Sequence, residues 1–146
     1  MVRAAALWSG MFGSHLSVAG GMENAAIEAE SLKLDCVQVF TKNQRQWKVK
    51  PLADEQVAAW RGELERLKWM STEGPARTVS HASYLINLAS PDDELWQKSI
   101  DLMQEEIERC DALSIPLLVH HPGAYTSSDE KAGRKRIAQA YKKLFK

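Results

Sequence analysis

Cysteine is nearly absent: Cys36 and Cys110 are the only two among 146 residues, and no CxxC spacing occurs. That excludes a disulfide framework and suits a reducing compartment. Long hydrophobic runs are missing too. No stretch approaches the ~18 consecutive apolar residues of a membrane span, and residues 1–8 are too short an apolar run for the core of a secretory signal. The expected location is the cytoplasm, with no membrane partner. Neither sign of charge is in excess, since 19 basic and 19 acidic side chains cancel. A protein that coats nucleic acid over its whole surface needs a broad excess of Lys and Arg, so any such contact must be local. A G-x-G-x-x-G fingerprint after the first predicted strand is lacking, as is any GKS or GKT, which disfavours a nucleotide-binding doubly wound domain.

What is present is a 45% apolar chain of single-domain size whose hydrophobic period alternates between strand and helix. Short apolar segments at 11–16, 35–40, 77–81 and 115–119 predict strands. Each is followed by a polar loop and a helical stretch, at 23–34, 54–70, from 90 to about 114, and from about 129 onward. In the second helix Val57, Trp60, Leu64 and Leu67 form one apolar face. The third carries the strongest start signal, with Ser90 as N-cap, Pro91 at the first helical position and Asp93 three residues after the cap. Its stripe is Trp96, Ile100, Met103, Ile107 and Cys110. Nearly continuous apolar strands alternating with helices imply an α/β architecture with a covered parallel sheet. Doubly wound sheets and (β/α)8 barrels both satisfy that pattern, and the chain has about half the roughly 250 residues of a typical barrel.

All four histidines, His15, His81, His120 and His121, fall at or just beyond the C-terminal end of a predicted strand. In a parallel architecture that edge collects polar side chains from distant segments. His81 and His121 would come from neighbouring strands, and paired neutral imidazoles suit Zn, Mn or Fe. By the two-residue strand period His120 faces away from His121, so only one of the two can be a ligand. Charge is local: between Asp35 and Asp54 the only charged residues are Lys42, Arg45, Lys48 and Lys50, and after Glu130 all are basic. The simplest reading of both stretches is a solvated loop and a solvated helix face. The segment 41–48 nevertheless combines three cations, Asn43, Gln44, Gln46 and Trp47, a mixture that can pair phosphates, hydrogen-bond bases and stack or wedge a base.

Four segments in order resemble the endonuclease IV family, the metal-dependent apurinic/apyrimidinic (AP) endonucleases of base-excision repair. They are Gly13-Ser14-His15-Leu16-Ser17-Val18-Ala19-Gly20-Gly21, Val39-Phe40-Thr41-Lys42-Asn43-Gln44-Arg45-Gln46-Trp47, His81 through Leu88, and His121-Pro122-Gly123-Ala124. The resemblance runs from about Gly13 to about Gly133 and is weaker over the last eight or so residues. It implies a TIM-type (β/α)8 barrel, here partial, with about four βα units over 13–146 and an unmatched N-terminal extension over 1–12. It also implies a top face that holds up to three zinc ions in a complete member, and hydrolysis of the phosphodiester on the 5′ side of an abasic site in double-stranded DNA. Carried over residue by residue, His81 and His121 are two ligands of one zinc. Arg45 and the Tyr84-Leu85 pair push into the DNA, and Asn43 and Gln44 support that loop's contacts.

Two positions depart from the family pattern: Ala82 stands where Asp is common, and Tyr125 where a histidine is frequent after the Pro-Gly turn. The family's further ligands come from strands five to eight, and two imidazoles are fewer than the three protein ligands of a usual catalytic zinc. The expectation is therefore a truncated copy with a partial zinc site, little activity alone, and a tendency to self-associate through open sheet edges. Two other readings fit the same segments: a metal-dependent sugar isomerase or epimerase of the xylose isomerase kind, and a non-catalytic fragment. The loop around Arg45 and the stretch 84–88 favour DNA over a small sugar.

Overall fold

The computed structural model describes residues 10–48, 50–70 and 73–146. Most of the expected extension 1–12 lies outside the described residues. Strands and helices alternate as β1 (Gly13–His15), α1 (Glu23–Ser31), β2 (Cys36–Val39), α2 (Asp54–Arg66), β3 (Thr78–His81), α3 (Asp93–Ala112), β4 (Leu117–Val119) and α4 (Glu130–Leu144). All pairings are parallel and the order is β1-β2-β3-β4. A doubly wound sheet reverses its strand order at a switch point. This one steps in one direction throughout, as the wall of a barrel does, so the four expected βα units form part of a TIM-type barrel.

Alternation along each strand sorts the two faces of the sheet. Val37, Val39, Thr78 and Ser80 are buried beneath the helices, whereas Cys36, Gln38, Val79 and His81 on the opposite face are half-buried. On β4 the apolar Leu117 and Val119 stay about half exposed, at 48% and 47%. Two apolar clusters hold the layers together. One joins α1, α2 and β2 to the end of α3 through Ala25, Ala26, Ala29, Val37, Val39, Trp60 and Leu64. The other joins α3 to α4 and the chain after β3 through Ile86, Leu88, Ile100, Met103 and Ala140, and Leu118 packs against both.

Three helices stop short of where the hydrophobic period extends, and all three stop in the same way. Lys33, Lys68 and Ser114 adopt positive φ of 58°, 60° and 55°. The next residues, Leu34, Trp69 and Ile115, donate backbone N–H groups to Ala29, Leu64 and Cys110 carbonyls at 2.8–2.9 Å. These are Schellman ends, each delivering an apolar side chain back to the first cluster. Glycine usually marks such ends. None does here, so the sequence pattern runs on by about a turn.

The start of α3 also differs from expectation. Asp92, not Ser90, is the N-cap: its backbone is extended (ψ 122°) and its side chain accepts from Leu95 N–H. Ser90 Oγ instead accepts from Asp92 N–H at 3.2 Å, closing the turn that precedes the helix. The basic face of α4 is likewise not purely solvated. Arg136 and Lys143 lie 4.5 and 4.7 Å from the Trp96 ring, and Arg136 pairs with Asp93 at 2.9 Å, so two of its cations clamp α4 onto α3.

Trp60 ties the first cluster to the end of α3. Its ring is fully buried and its Nε1–H donates to the Leu113 carbonyl at 2.9 Å. Trp60→Phe keeps most of the apolar volume and orphans that carbonyl, so urea unfolding should show a loss of about 1–3 kcal/mol. Trp60→Ala should cost about 3–5 kcal/mol.

Candidate metal and nucleic-acid site

The parallel register brings the C-terminal strand ends together. A run of five rings crosses that edge: His15 to Phe40 (4.4 Å between centroids), Phe40 to His81 (5.6 Å), His81 to His121 (5.4 Å), with Tyr84 against Phe40, His81 and His121 at 5.8, 5.1 and 5.8 Å. His81 and His121, forty residues apart in sequence, are thus adjacent. His81 Nδ1 lies 2.7 Å from the Ala82 carbonyl. A carbonyl only accepts, so Nδ1 carries the proton and the Nε2 lone pair is left available to an ion or substrate. The exposed His121 ring has no hydrogen-bond partner among the described residues. Two imidazoles bound to one ion at about 2.0–2.1 Å place their ring centres about 5 Å apart, and the 5.4 Å observed fits a shared zinc-type ion. Among the described residues no group of three His, Cys, Asp or Glu converges to hold a metal ion.

His120 turns the other way, as the strand period requires. Its Nδ1 donates to the His121 carbonyl at 3.0 Å and its Nε2 meets Tyr141 Oη of α4 at 2.7 Å. Both ring nitrogens are engaged on the helix side. His15 at the far end of the row hydrogen-bonds Gln38 Oε1 at 3.1 Å.

The loop after β2 is more ordered than a hydrated basic loop. Lys42 is not a free phosphate ligand: its side chain is 5% exposed, and Nζ donates to the Asn43 and Gln46 carbonyls at 3.3 and 3.0 Å. Burial lowers its pKa, with the Glu106 and Glu105 charges acting against that shift. Asn43 Oδ1 accepts from Arg45 N–H at 2.9 Å, an Asx turn that lifts the Arg45 side chain outward. Gln44 is half-buried and its carbonyl accepts from Ser83 Oγ at 2.7 Å. Arg45 is exposed, with no side-chain partner among the described residues. Tyr84 is 61% exposed, whereas Leu85 leans on the second apolar cluster. The expected DNA-facing residues therefore divide: Arg45 and Tyr84 project, while Asn43, Gln44 and Leu85 shape the loops that carry them.

Sequence reading missed the group that fixes these loops. Glu106, 1% exposed on α3, accepts from Thr41 Oγ1 at 3.0 Å and from Ser83 N–H at 2.9 Å, with Lys42 Nζ at 3.9 Å. One turn on, Arg109 donates to the Lys50 carbonyl at 3.0 Å, to the Thr41 carbonyl, and to Thr41 Oγ1 at 3.3 Å. A signal was there: Glu106 and Arg109 lie beside Ile107 and Cys110, on the flank of the apolar stripe, where a solvated charge would not sit.

Replacing the Glu106 carboxylate takes away the acidic neighbour of the largely buried Lys42 ammonium, 3.9 Å away. Glu106→Gln should cost about 3–5 kcal/mol in urea unfolding, and adding Lys42→Met should recover part of that loss. Additive losses would mean the two groups do not interact.

Comparison with known proteins agrees with this geometry. Residues 27–146 match the model of the family described as xylose isomerase-like TIM barrel. A protein named probable endonuclease 4 from Chloroflexus aurantiacus is 47% identical over 133 residues, covering 91% of this chain and 45% of its own length. The crystal structure of endonuclease IV from Thermus thermophilus superposes with a TM-score of 0.73 at 32% identity, over 94% of this chain and 48% of that one. A D-psicose 3-epimerase from Clostridium cellulolyticum superposes with a TM-score of 0.57 at 14% identity, covering 92% of this chain and 47% of the epimerase, a likeness of fold alone. The chain spans about half the length of the curated relatives it matches. No helix among the described residues is long and apolar enough to cross a membrane. The resemblance read from the four motifs is thus borne out, and the chain belongs to the xylose isomerase-like TIM barrel family, matching the endonuclease 4 proteins within it.

Proposed function

We propose that this chain provides four βα units of a zinc-dependent AP endonuclease that hydrolyses the phosphodiester 5′ to an abasic site in double-stranded DNA during cytoplasmic base-excision repair. The observation that carries this reading is the adjacency of the His81 and His121 rings beneath an exposed Tyr84, on the same edge as the projecting Arg45. Zinc bound by the two imidazoles would supply a Lewis acid for phosphate oxygens and lower the pKa of a bound water.

The chain's own side chains do the rest. His81, held in one tautomer by the Ala82 carbonyl, presents Nε2. Arg45 pairs phosphate or enters the groove, and Tyr84 wedges the stack open while Leu85 anchors its loop in the apolar cluster. Turning out a nucleotide costs a few kcal/mol, and least where no base is paired. A site that demands the extruded sugar therefore selects abasic DNA. With two imidazoles against the usual three ligands, the 146-residue chain by itself should incise slowly or not at all.

Two measurements test the reading. Calorimetric titration of the purified chain with zinc should show one weak site, lost in His121→Ala. Band-shift titrations should show Arg45→Ala losing more affinity for a duplex with a synthetic abasic site than for the intact duplex. Zinc uptake that ignores His121, or equal losses on both duplexes, would refute the metal and the lesion-reading roles respectively.

We also propose that a second copy packs on the open face of the sheet at β4, where Leu117 and Val119 stand half exposed. Sedimentation velocity should show a concentration-dependent dimer that Val119→Lys abolishes, and a monomer at all concentrations would exclude it.

A further inference from the structure

We infer that Asn87 is a positioning residue that locks the turn carrying His121 to the loop carrying Tyr84, so that the imidazole pair and the wedge keep one fixed spacing. What the two loops do rests on the function proposed above, while the lock itself stands on geometry. Asn87 is anchored from behind: its N–H donates to Ser99 Oγ at 3.0 Å, and its carbonyl accepts from Ser90 N–H at 3.2 Å. Ser99 is fully buried on α3 and its hydroxyl donates in turn to the Leu95 carbonyl at 2.7 Å. The side chain then reaches across. Oδ1 accepts from Ala89 N–H at 3.1 Å and from Ala124 N–H at 2.9 Å, and Nδ2 donates to the Ala124 carbonyl at 3.0 Å. One amide thus pairs with both polar groups of a residue three positions beyond His121, as a neighbouring strand would. The two N–H donors on one side and the carbonyl on the other leave a single orientation of the amide.

Gly123 completes the lock. Its φ is +112°, and a Cβ there would lie 2.1 Å from Asn87 Oδ1 and 3.0 Å from Ala89 N, so only glycine brings the turn this close. On the Asn87 side, the same loop holds Tyr84 at 5.1 and 5.8 Å from the His81 and His121 rings. Leu85 N–H is bonded to Ser83 Oγ, which also reaches Gln44. The His121 ring has no hydrogen-bonding partner among the described residues, its backbone carbonyl alone being held, by His120 Nδ1. Its position is therefore set by the turn it belongs to, and the turn is set by Asn87.

The test uses metal-free protein carrying isotope-labelled His and Tyr rings. In Asn87→Ala, which removes all three side-chain bonds, and in Gly123→Ala, which pushes the turn away from the other side, the His121 and Tyr84 ring signals should shift or broaden. The His15 signals should stay in place. Asn87→Asp keeps both accepted N–H bonds but sets a carboxylate oxygen against the Ala124 carbonyl in place of the donated one, so it should restore the wild-type positions only in part. Zinc affinity should fall about 10–100-fold in Asn87→Ala, the range seen when a group that orients a ligand is lost. His121 and Tyr84 signals that stay put in both Asn87→Ala and Gly123→Ala would overturn the inference. So would His15 moving as far as His121, which would mark Asn87 as a general brace of the fold. Absence of zinc uptake by the wild-type protein, together with the expected ring shifts in the two variants, would refute the metal reading alone.

Discussion

The buried Glu106 carboxylate is the constraint on which the upper rim depends. A buried carboxylate needs its lone pairs satisfied, and α3 brings this one where two loops can do so, through Thr41 Oγ1 on one side and Ser83 N–H on the other. Lys42 and Arg109 offset the charge, and both spend their remaining donors on backbone carbonyls of the β2–α2 loop. The loop that carries Arg45 is thus closed at both ends onto one helix. A segment rich in Lys, Asn and Gln would otherwise be mobile, and what orders it is a charge cluster in a place where apolar residues would serve stability as well. Such a cluster fixes direction as well as proximity, because each hydrogen bond has a required geometry.

From that anchor the order passes around the edge of the sheet. Ser83, held by Glu106, bonds Gln44 of the preceding loop and Leu85 of its own. Asn87 carries the connection to the turn after β4. The three loops above β2, β3 and β4 are therefore joined side chain to backbone, independently of the strand ladder beneath them. Parallel strands bring residues of different loops near one another, but the ladder alone leaves their spacing loose. Hydrogen bonds across the loops supply the remaining precision, which metal sites and nucleic-acid wedges both require.

Much of this arrangement is legible in the sequence, for physical reasons that can be named. The alternation of apolar period between two and 3.6 residues places all four βα units, since a covered parallel sheet leaves little other choice for residues such as Val37, Val39, Trp60 and Leu64. The period also separates His121 from His120, whose ring does turn to Tyr141. Helix ends are harder to read because Lys33, Lys68 and Ser114 take the left-handed conformation without the glycine that usually announces it. Lys42 reads as a surface cation because its countercharge lies 64 positions away on a helix whose other acids are mostly solvated. Local pattern reports which face a residue occupies. It does not report which distant partner awaits it there, and Glu106, Arg109 and Asn87 all act through partners of that kind.

The site joins two requirements that ordinarily conflict. A wedge has to be exposed before it can enter a base stack, and Tyr84 is exposed, yet a mobile aromatic side chain would lose on ordering much of what it gains by stacking. For the proposed wedge, the neighbours of Tyr84 resolve the conflict. Tyr84 rests on the His81 and His121 rings and on Phe40, Leu85 beside it is set in the apolar cluster, and Ser83 before it is tied to Glu106. In the proposed function the surface that supports the wedge is thus the same pair of imidazoles that would hold the metal. Displacing either member disturbs the other, so lesion recognition and phosphate chemistry share one scaffold.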